Sequence, residues 1–212
     1  MKNRTMFVAG ATGAVGQRFL ALAQAQQVEV VPHARAQSTG KLTHPNLVTL
    51  ELSDPRLVEA LTRCTTVVQL IGTMRKRFAS GDTYESSDIG TTRDLVNAAK
   101  AAGTIDHLVL LSSVGAGSPT GAYLRAKAEA ERLVRESGLP FTILRPSAFE
   151  DRAGVHLPGM RAVTRFLGLK RYEPIKLDEL TSALLAVAVN RAPLGAALEG
   201  QTLWDQVKRP QP

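Results

Sequence analysis

The stretch Val8–Phe19, VAGATGAVGQRF, decides the fold of this chain. It places Gly10, Gly13 and Gly16 between an apolar run with the pattern of a strand and an amphipathic segment with the pattern of a helix. Glycines in this context allow a tight turn, a close approach of the backbone to a phosphate, and close packing of helix on strand. The helix N-terminus adds unpaired N–H groups and partial positive charge. The stretch therefore predicts a phosphate-binding loop in a β-α-β unit; a tight turn without a ligand is the alternative.

Short apolar runs alternate with longer amphipathic segments along the chain as far as Pro146. Nearly continuous Val, Ile and Leu in these runs is typical of strands buried on both faces of a parallel sheet. We therefore predict an α/β fold, a Rossmann-like doubly wound parallel sheet with helices on both faces. Six strands are expected, at Thr5–Gly10, Val28–Pro32, Leu47–Leu52, Thr65–Ile71, His107–Ser113 and Phe141–Pro146.

The rhythm changes after Pro146, where a loop-rich segment precedes a helical pattern over Lys176–Asn190. We predict that residues 1–212 form a single domain in which about 147–212 are a short C-terminal tail on the substrate side. The run QTLW, Gln201–Trp204, is expected to be a last short strand. The long helices predicted at Tyr84–Ala102 and Tyr123–Glu136 have mixed faces, so monomer and homodimer both stay open.

The composition is that of an ordinary globular protein, with 44% apolar and 21% charged residues and a net charge of +7. The N-terminal apolar stretch is too short for a signal peptide, and no run approaches the roughly 20 residues of a membrane span. We expect a cytoplasmic protein with no membrane partner. Cys64 is the one cysteine, which excludes an internal disulfide or a cysteine zinc cluster and favours a packed thiol. No metal is expected. The basic residues are scattered except for the cluster Arg75, Lys76 and Arg77, which lacks interleaved aromatic residues, so no nucleic-acid partner is expected.

Arg35 follows the second predicted strand, in the run VVPHARAQS. An acidic residue near this strand end would bind the ribose hydroxyls of NAD, and none is present. A guanidinium matches a 2′-phosphate with two hydrogen bonds. The sequence therefore predicts NADP(H) as the cofactor in preference to NAD(H), with a plain surface arginine as the alternative.

A serine pair and a Tyr-Lys pair follow the fifth strand. Ser112 and Ser113 stand at its carboxyl end, where open α/β sheets bind ligands. Tyr123 and Lys127 come next, four residues apart, so that one helical turn places them on the same face. An ammonium beside a phenol favours the phenolate and suits proton transfer at a carbonyl. Taken alone, the pair is better explained as part of an ordinary helix, with Tyr123 near its start and Lys127 in solvent.

The runs GATGAVGQ, DLVNAAKAAG, HLVLLSSVGAG, YLRAKAEAERLV and FTILRPSAFEDR in succession resemble the atypical branch of the short-chain dehydrogenase/reductase superfamily. This branch includes the NmrA-like proteins and the TIP30-like oxidoreductases, and the tail with KLDELTSALLAVAV is similar to that of small bacterial TIP30-like proteins. The resemblance implies Ser113, Tyr123 and Lys127 as catalytic residues, with Phe149 and Arg152 facing the substrate. It implies cofactor contacts from Gly10, Thr12, Gly13, Ala14, Val15, Gly16, Arg35, Glu51, Leu52, Leu70, Ile71, Gly72, Ser112, Lys127, Pro146 and Ser147.

The expected function is that of an NADP(H)-dependent oxidoreductase that transfers hydride to or from a small carbonyl, alcohol or quinone-like substrate. Tyr123 is its expected general acid and base. The alternative is a non-catalytic NADP(H)-binding, redox-sensing regulator of NmrA or TIP30 type. Arg161 and Arg165 are expected to form a solvated basic face in preference to reading an anionic substrate. His156 is expected to be a loop residue.

Overall fold

The computed structural model describes residues 5–72, 83–150 and 160–208. Within these ranges seven parallel strands form one sheet in the order β3-β2-β1-β4-β5-β6-β7. The strands are β1 (Met6–Ala9), β2 (Val30–Ala34), β3 (Val48–Thr49), β4 (Thr66–Gln69), β5 (His107–Leu111), β6 (Phe141–Arg145) and β7 (Ala196–Glu199). The helices are α1 (Ala14–Ala25), α2 (Leu57–Thr62), α3 (Thr91–Ala102), α4 (Gly121–Glu136), α5 (Met160–Phe166), α6 (Leu177–Asn190) and α7 (Gln201–Val207). The predicted Rossmann-like fold class is confirmed.

Helices bury both faces of the sheet, and successive side chains of each strand point to opposite faces. Met6 and Val8 of β1 join the core beneath α1 and α6, whereas Phe7 joins the core beneath α2, α3 and α4. A fully buried side chain such as Phe7 contributes about 1.5–3 kcal/mol to stability through apolar burial. This two-sided burial explains why the strands are continuous apolar runs in the sequence.

The strand order reverses next to β1, which lies between β2 and β4. From β1 the chain goes outward to β2 and β3, and then returns to β4 on the other side. In open α/β sheets the crevice at such a reversal, outside the carboxyl ends of the strands, is where ligands bind. The glycine loop after β1 and the segment Leu70–Gly72 after β4 both lie at this edge.

The third strand is much shorter than predicted. Regular pairing with β2 covers His33 and Ala34 against Val48 and Thr49. Directly after this pairing, the carbonyl oxygen of Leu50 accepts a hydrogen bond from Nε2 of the His33 ring at 2.7 Å.

The C-terminal segment contributes to the sheet. Helix α6 packs against α1 in the first core, and β7 pairs with β6 at the register Leu144 with Leu198. The prediction of a strand at Gln201–Trp204 is wrong, because these residues begin α7 and the strand lies directly before them. Gly200, at φ +56°, ends the strand, and Leu203 and Trp204 are buried on the helix.

None of the helices in the described part of the chain is both long and apolar enough to cross a bilayer.

Candidate dinucleotide and proton-transfer site

The glycine loop has a backbone that other residues cannot reproduce. Gly10 takes φ +87°, and a Cβ there would lie 2.9 Å from the backbone nitrogen of Ile71. The N–H of Gly13 donates to the carbonyl oxygen of Gly10 at 3.1 Å and closes the turn. A Cβ on Gly16 would lie 2.3 Å from that same oxygen. The loop therefore needs its glycines for the turn and for the packing of α1 against β1.

The N-terminus of α1 is suited to an anion. Gly13 is its N-cap residue in an extended conformation, and no side chain in the described part of the chain caps the N–H groups. The first turn contains no acidic residue, and Ala14 is exposed while Thr12 and Val15 are half-buried. Open N–H groups and the helix dipole here fit the pyrophosphate of a dinucleotide.

The opposite wall of the crevice comes from the end of β4. Leu70 donates its N–H to the carbonyl oxygen of Ala9 at 2.9 Å, which joins this segment to β1. Leu70 and Ile71 are half-buried, and Gly72 is exposed.

Glu51 and Leu52, two of the expected cofactor contacts, differ in their exposure. Leu52 is buried in the second core, and Glu51 is exposed to solvent. Glu51 is therefore the member of this pair whose side chain is accessible to a ligand.

Arg35 lies where β2 ends. It follows Ala34 directly, is half-buried, and begins a 3₁₀ turn at Ala36–Lys41, with its carbonyl oxygen accepting from Ser38 at 2.8 Å. The neighbouring His33 is buried, and burial lowers its pKa, so its ring is neutral at pH 7. The charged side chain directly after β2 is therefore that of Arg35, and the carboxylate of Glu51 also acts on the His33 ring.

The two serines after β5 have different environments. Ser112 is buried, and its hydroxyl donates to a carboxylate oxygen of Glu131 at 2.6 Å. Ser113 is half-buried, and its hydroxyl lies 3.5 Å from the carbonyl oxygen of Val114, which is a weak contact. The geometry therefore favours Ser113 as the serine that meets a ligand, while Ser112 is held inside the protein.

Tyr123 and Lys127 lie one turn apart on α4. The helix begins at Gly121, whose φ of +75° turns the chain out of the preceding loop. Tyr123 is half-buried, with its ring centroid 5.7 Å from that of Tyr84. Lys127 is buried, and its ammonium donates to the carbonyl oxygen of Leu111, the last residue of β5, at 3.4 Å. Lys127 therefore lies at the same edge of the sheet as the serines.

Asp88 is a site residue that the sequence analysis missed. Its side chain is fully buried on the π-helical turn Glu85–Gly90, and Oδ1 lies 2.8 Å from Nζ of Lys127. A Cβ on Gly72 would lie 2.8 Å from Nζ and 3.3 Å from Oδ1. Three segments thus meet at one buried ion pair, and Gly72 supplies the space for it. Turns of π-helix occur frequently at functional sites.

A second buried network fixes the serine loop. Both carboxylate oxygens of Glu131 accept hydrogen bonds from Arg145 of β6, and Oε1 also accepts from Ser112. Arg145 reaches Glu199 of β7 at 3.2 Å, and its hydrogen bond to Glu131 raises its pKa. A Cβ on Gly117 would lie 2.6 Å from Nη1 of Arg145, so this guanidinium packs closely against the β5–α4 loop. Glu131 follows Lys127 by four residues, which is the one sequence signal that could have indicated it.

The residues after β6 pack beneath the site. Pro146 is buried, and its carbonyl oxygen accepts from the N–H of Val114 at 2.9 Å. Ser147 donates its hydroxyl to the carbonyl oxygen of Glu173. Phe149 is half-buried against the first core and pairs with Ile175. The predicted positions Arg152 and His156, and the cluster Arg75, Lys76 and Arg77, lie outside the described residues.

Arg161 is not part of a solvated face, so that expectation is wrong for it. Its guanidinium pairs with Glu150, Glu173 and Glu179 at 2.7–3.3 Å and lies 4.9 Å from the centre of the Trp204 ring. It joins the loop after β6 to α6 and α7. Arg165 pairs with Glu173 at 2.6 Å, but its side chain is more than half exposed.

Cys64 is the packed thiol that the sequence indicated. It is fully buried, with Sγ 3.7 Å from the carbonyl oxygen of Ala60, and burial raises its pKa to about 12. It is therefore a neutral thiol at pH 7, away from the crevice edge.

A protein-family model described as NAD(P)H-binding matches residues 10–172, which include the glycine loop, Arg35, both serines, Tyr123 and Lys127. This chain belongs to the NAD(P)H-binding family. Membership is consistent with the open α1 N-terminus and with the close approach that the loop glycines allow. Residues of both the glycine loop and the Tyr-Lys helix therefore belong to a cofactor-binding unit.

A reductase is among the curated relatives of this NAD(P)H-binding protein. The chain is 30% identical over 187 residues to the (4-alkanoyl-5-oxo-2,5-dihydrofuran-3-yl)methyl phosphate reductase of Streptomyces griseus subsp. griseus. The match covers 86% of this chain and 62% of the reductase. The chain thus spans less than two thirds of the length of that relative.

Solved structures show the same fold at low identity. A short-chain dehydrogenase/reductase superfamily protein of Agrobacterium tumefaciens with bound NAD has a TM-score of 0.70 at 19% identity, covering 93% of this chain and 77% of that one. The NADPH-dependent quinone oxidoreductase of Escherichia coli with NADPH has a TM-score of 0.67 at 17% identity, covering 92% and 68%. The protein therefore shares the Rossmann fold of these two proteins.

Proposed function

We propose that this protein is an NADP(H)-dependent oxidoreductase that acts on a small carbonyl, alcohol or quinone-like substrate, with Tyr123 as its general acid and base. The observation that carries the proposal is the position of the Tyr-Lys pair. Tyr123 and Lys127 share a face of α4, and the buried ammonium of Lys127 reaches Gly72 and Leu111 at the carboxyl edge of the sheet. The glycine loop opens onto this same edge.

The dinucleotide, when bound, supplies or accepts the hydride. The N–H groups at the start of α1 hold its pyrophosphate, and the segment Leu70–Gly72 lines its path toward Lys127. The hydroxyl of Ser113 donates a hydrogen bond to the substrate oxygen. Tyr123 gives its proton to that oxygen in reduction, or takes it back in oxidation.

Lys127 acts through charge and position. An ammonium one helical turn from the phenol stabilises the phenolate that remains after proton transfer. Its burial strengthens the effect because fewer water molecules screen it. Asp88 holds the ammonium at 2.8 Å and keeps it at the crevice edge.

The relatives support a reductase. The curated relative at 30% identity is named as a reductase, and one protein of similar fold is a quinone oxidoreductase. The substrate class is inferred from this chemistry. Similar folds carry either NAD or NADPH, so the preference for NADP(H) depends on Arg35.

The test is consumption of NADPH and NADH by the purified chain over a panel of aldehydes, ketones and quinones. We expect turnover with at least one class, faster with NADPH. Binding of both dinucleotides without turnover on any member of the panel would contradict the enzymatic function.

One observation favours a second function, a non-catalytic NADP(H)-binding sensor. The ammonium of Lys127 is already paired with the carboxylate of Asp88, and a compensated cation acts less strongly on a nearby phenol. A sensor would bind NADPH, turn over nothing, and capture a partner protein in a manner that depends on NADP(H). A pull-down with and without NADPH, beside the turnover panel, distinguishes the two functions.

A further inference from the structure

Exposed apolar side chains are concentrated in one short segment of this protein. Six large apolar residues are strongly exposed in the described part of the chain, and only Leu194 lies elsewhere. The other five are Val163, Phe166, Leu167, Leu169 and Tyr172. We call these five residues and the cations among them the apolar–basic face. Phe166 is 90% exposed. Apolar side chains grouped in this way mark interaction surfaces, whereas scattered ones do not.

The backbone explains why these side chains point outward. In α5 the inner side is held by Thr164, which is buried, and by the ion pairs of Arg161. Val163, Phe166 and Leu167 are three and four residues apart and so share the opposite side of the helix. Gly168, at φ +70°, then turns the chain into the 3₁₀ turn Lys170–Tyr172.

The same segment is basic. Residues 160–172, MRAVTRFLGLKRY, contain four arginines and lysines and no acidic residue. The side chains of Arg165 and Arg171 are 56% and 45% exposed, whereas their partners Glu173 and Glu199 are 4% and 15% exposed. The carboxylates therefore lie inside and the cations outside, with Lys170 also exposed.

We propose that the apolar–basic face binds the surface of an anionic lipid bilayer. Phe166, Leu167 and Leu169 enter the boundary of the acyl chains, and Lys170 and Arg171 meet the lipid phosphates. Apolar residues beside cations on one face are the chemistry of segments that lie in a membrane interface. Tyr172 has the amphipathic ring that is enriched at this level.

The charge of the face argues against a second copy of this chain as the occupant. A two-fold interface places the same patch on both sides, so the cations Arg165, Lys170 and Arg171 of one copy would face the basic patch of the other. Like charges brought together oppose such pairing, and the net charge of +7 adds to the repulsion. An anionic surface is favoured by the same charges. The sequence predicted no membrane partner because it contains no spanning segment, but peripheral binding needs none.

The experiment is co-sedimentation of the full chain with vesicles of phosphatidylcholine, with and without phosphatidylglycerol. We expect binding to the anionic vesicles that weakens as salt screens the charges. Phe166→Ser lowers the partition coefficient about tenfold or more, since one buried aromatic side chain is lost from the interface. Lys170→Gln lowers it about fivefold. Leu194→Ser, at an exposed leucine outside the face, leaves it unchanged.

Two results would overturn the proposal. One is the absence of binding to anionic vesicles, and the other is a loss of binding in Leu194→Ser as large as that in Phe166→Ser. A loss of vesicle binding with Lys170→Gln but none with Phe166→Ser would also overturn it, and would assign the face to an acidic partner bound by charge alone. A dimer in light scattering that Phe166→Ser abolishes would assign the face to a second copy. Phe166 is not part of the core, so Phe166→Ser is expected to fold. An unchanged melting temperature checks this. The inference is independent of the proposed reaction.

Discussion

The ammonium of Lys127 and the carboxylate of Asp88 lie 2.8 Å apart, and both side chains are buried. They come from different segments, α4 and the π-helical turn before α3, so the pair joins the two long helices on one side of the sheet. A buried ion pair is an uncertain source of stability, but breaking it by removing one partner leaves an uncompensated charge. This pair therefore links the position of the proposed catalytic lysine to the stability of the fold.

Asp88→Asn is expected to lower the free energy of unfolding by about 3–5 kcal/mol, because Lys127 then loses its counter-charge in a buried position. Adding Lys127→Met is expected to restore part of that loss, since no unpaired charge remains. Urea unfolding of both single variants and the double variant measures the coupling. Asp94→Asn, on the neighbouring helix α3, is the matched control. Additive effects of Asp88→Asn and Lys127→Met would contradict the coupling.

Gly72→Ala is expected to displace the ammonium of Lys127, because the new Cβ would lie 2.8 Å from Nζ. Overpacking of this kind costs about 1–3 kcal/mol. We expect weaker NADPH binding in a fluorescence titration, together with a lower melting temperature. Gly40→Ala is the control, since a Cβ there meets nothing within 4 Å. If both alanine variants bind NADPH like the parent protein, Gly72 does not serve the site.

Arg35→Ala is expected to weaken NADPH binding about ten- to a hundredfold and to leave NADH binding nearly unchanged. A hydrogen-bonded ion pair to a 2′-phosphate contributes about 1.5–3 kcal/mol, and NADH has no such phosphate. Titration with each dinucleotide measures the two affinities, with Arg63→Ala at the end of α2 as a control. An equal loss for both dinucleotides would show that Arg35 does not discriminate between them.

The free energy of unfolding is expected to fall as the pH is lowered from 6.5 to about 4, because of His107. Burial lowers its pKa from 6.5 to about 4, with Arg191 as a second cause. In this window the unfolded chain binds a proton that the folded protein refuses, so the free energy of unfolding rises with pH. The full difference is about 3 kcal/mol. Urea titrations across the window measure the slope, which should become smaller in His107→Gln.

The hydrogen bonds of His107 explain why the folded protein does not bind this proton. Thr142 gives its hydroxyl proton to the carbonyl oxygen of Pro193, so it accepts from Nε2 of His107 at 2.8 Å. Nδ1 of the ring is buried and has no hydrogen-bond partner among the described residues. A second proton would therefore be buried without an acceptor. An unchanged slope in His107→Gln would assign the pH dependence to other groups.

The fold was predictable from the sequence because burial on both sheet faces leaves its pattern in each strand. The glycine loop and the strands around it follow from local sequence alone. The error at Gln201–Trp204 has a local cause: four residues are too few to distinguish strand from helix. What decided the outcome was Gly200, whose φ of +56° ends the strand one residue earlier.

The site was predictable only where its residues belong to a local pattern. Ser113, Tyr123 and Lys127 have a fixed order along one strand and one helix. Asp88 does not, because its carboxylate becomes meaningful only when the π-helical turn places it against Lys127. Glu131 and Arg145 are likewise brought together by the packing of α4 on β6. Apart from the four-residue spacing of Lys127 and Glu131, ion pairs between distant segments leave no signal in a single sequence.

The most direct test of the account compares Tyr123→Phe with Tyr84→Phe. The two rings are neighbours, with centroids 5.7 Å apart, so the second variant controls for loss of a phenol in the same place. NADPH affinity and turnover are measured for both, on whichever substrate the panel identifies. We predict that Tyr123→Phe binds NADPH normally and loses turnover by about a hundredfold or more, the contribution of a positioned general acid. Tyr84→Phe should retain most of its turnover. Full turnover in Tyr123→Phe would contradict the assignment of Tyr123 as the proton donor.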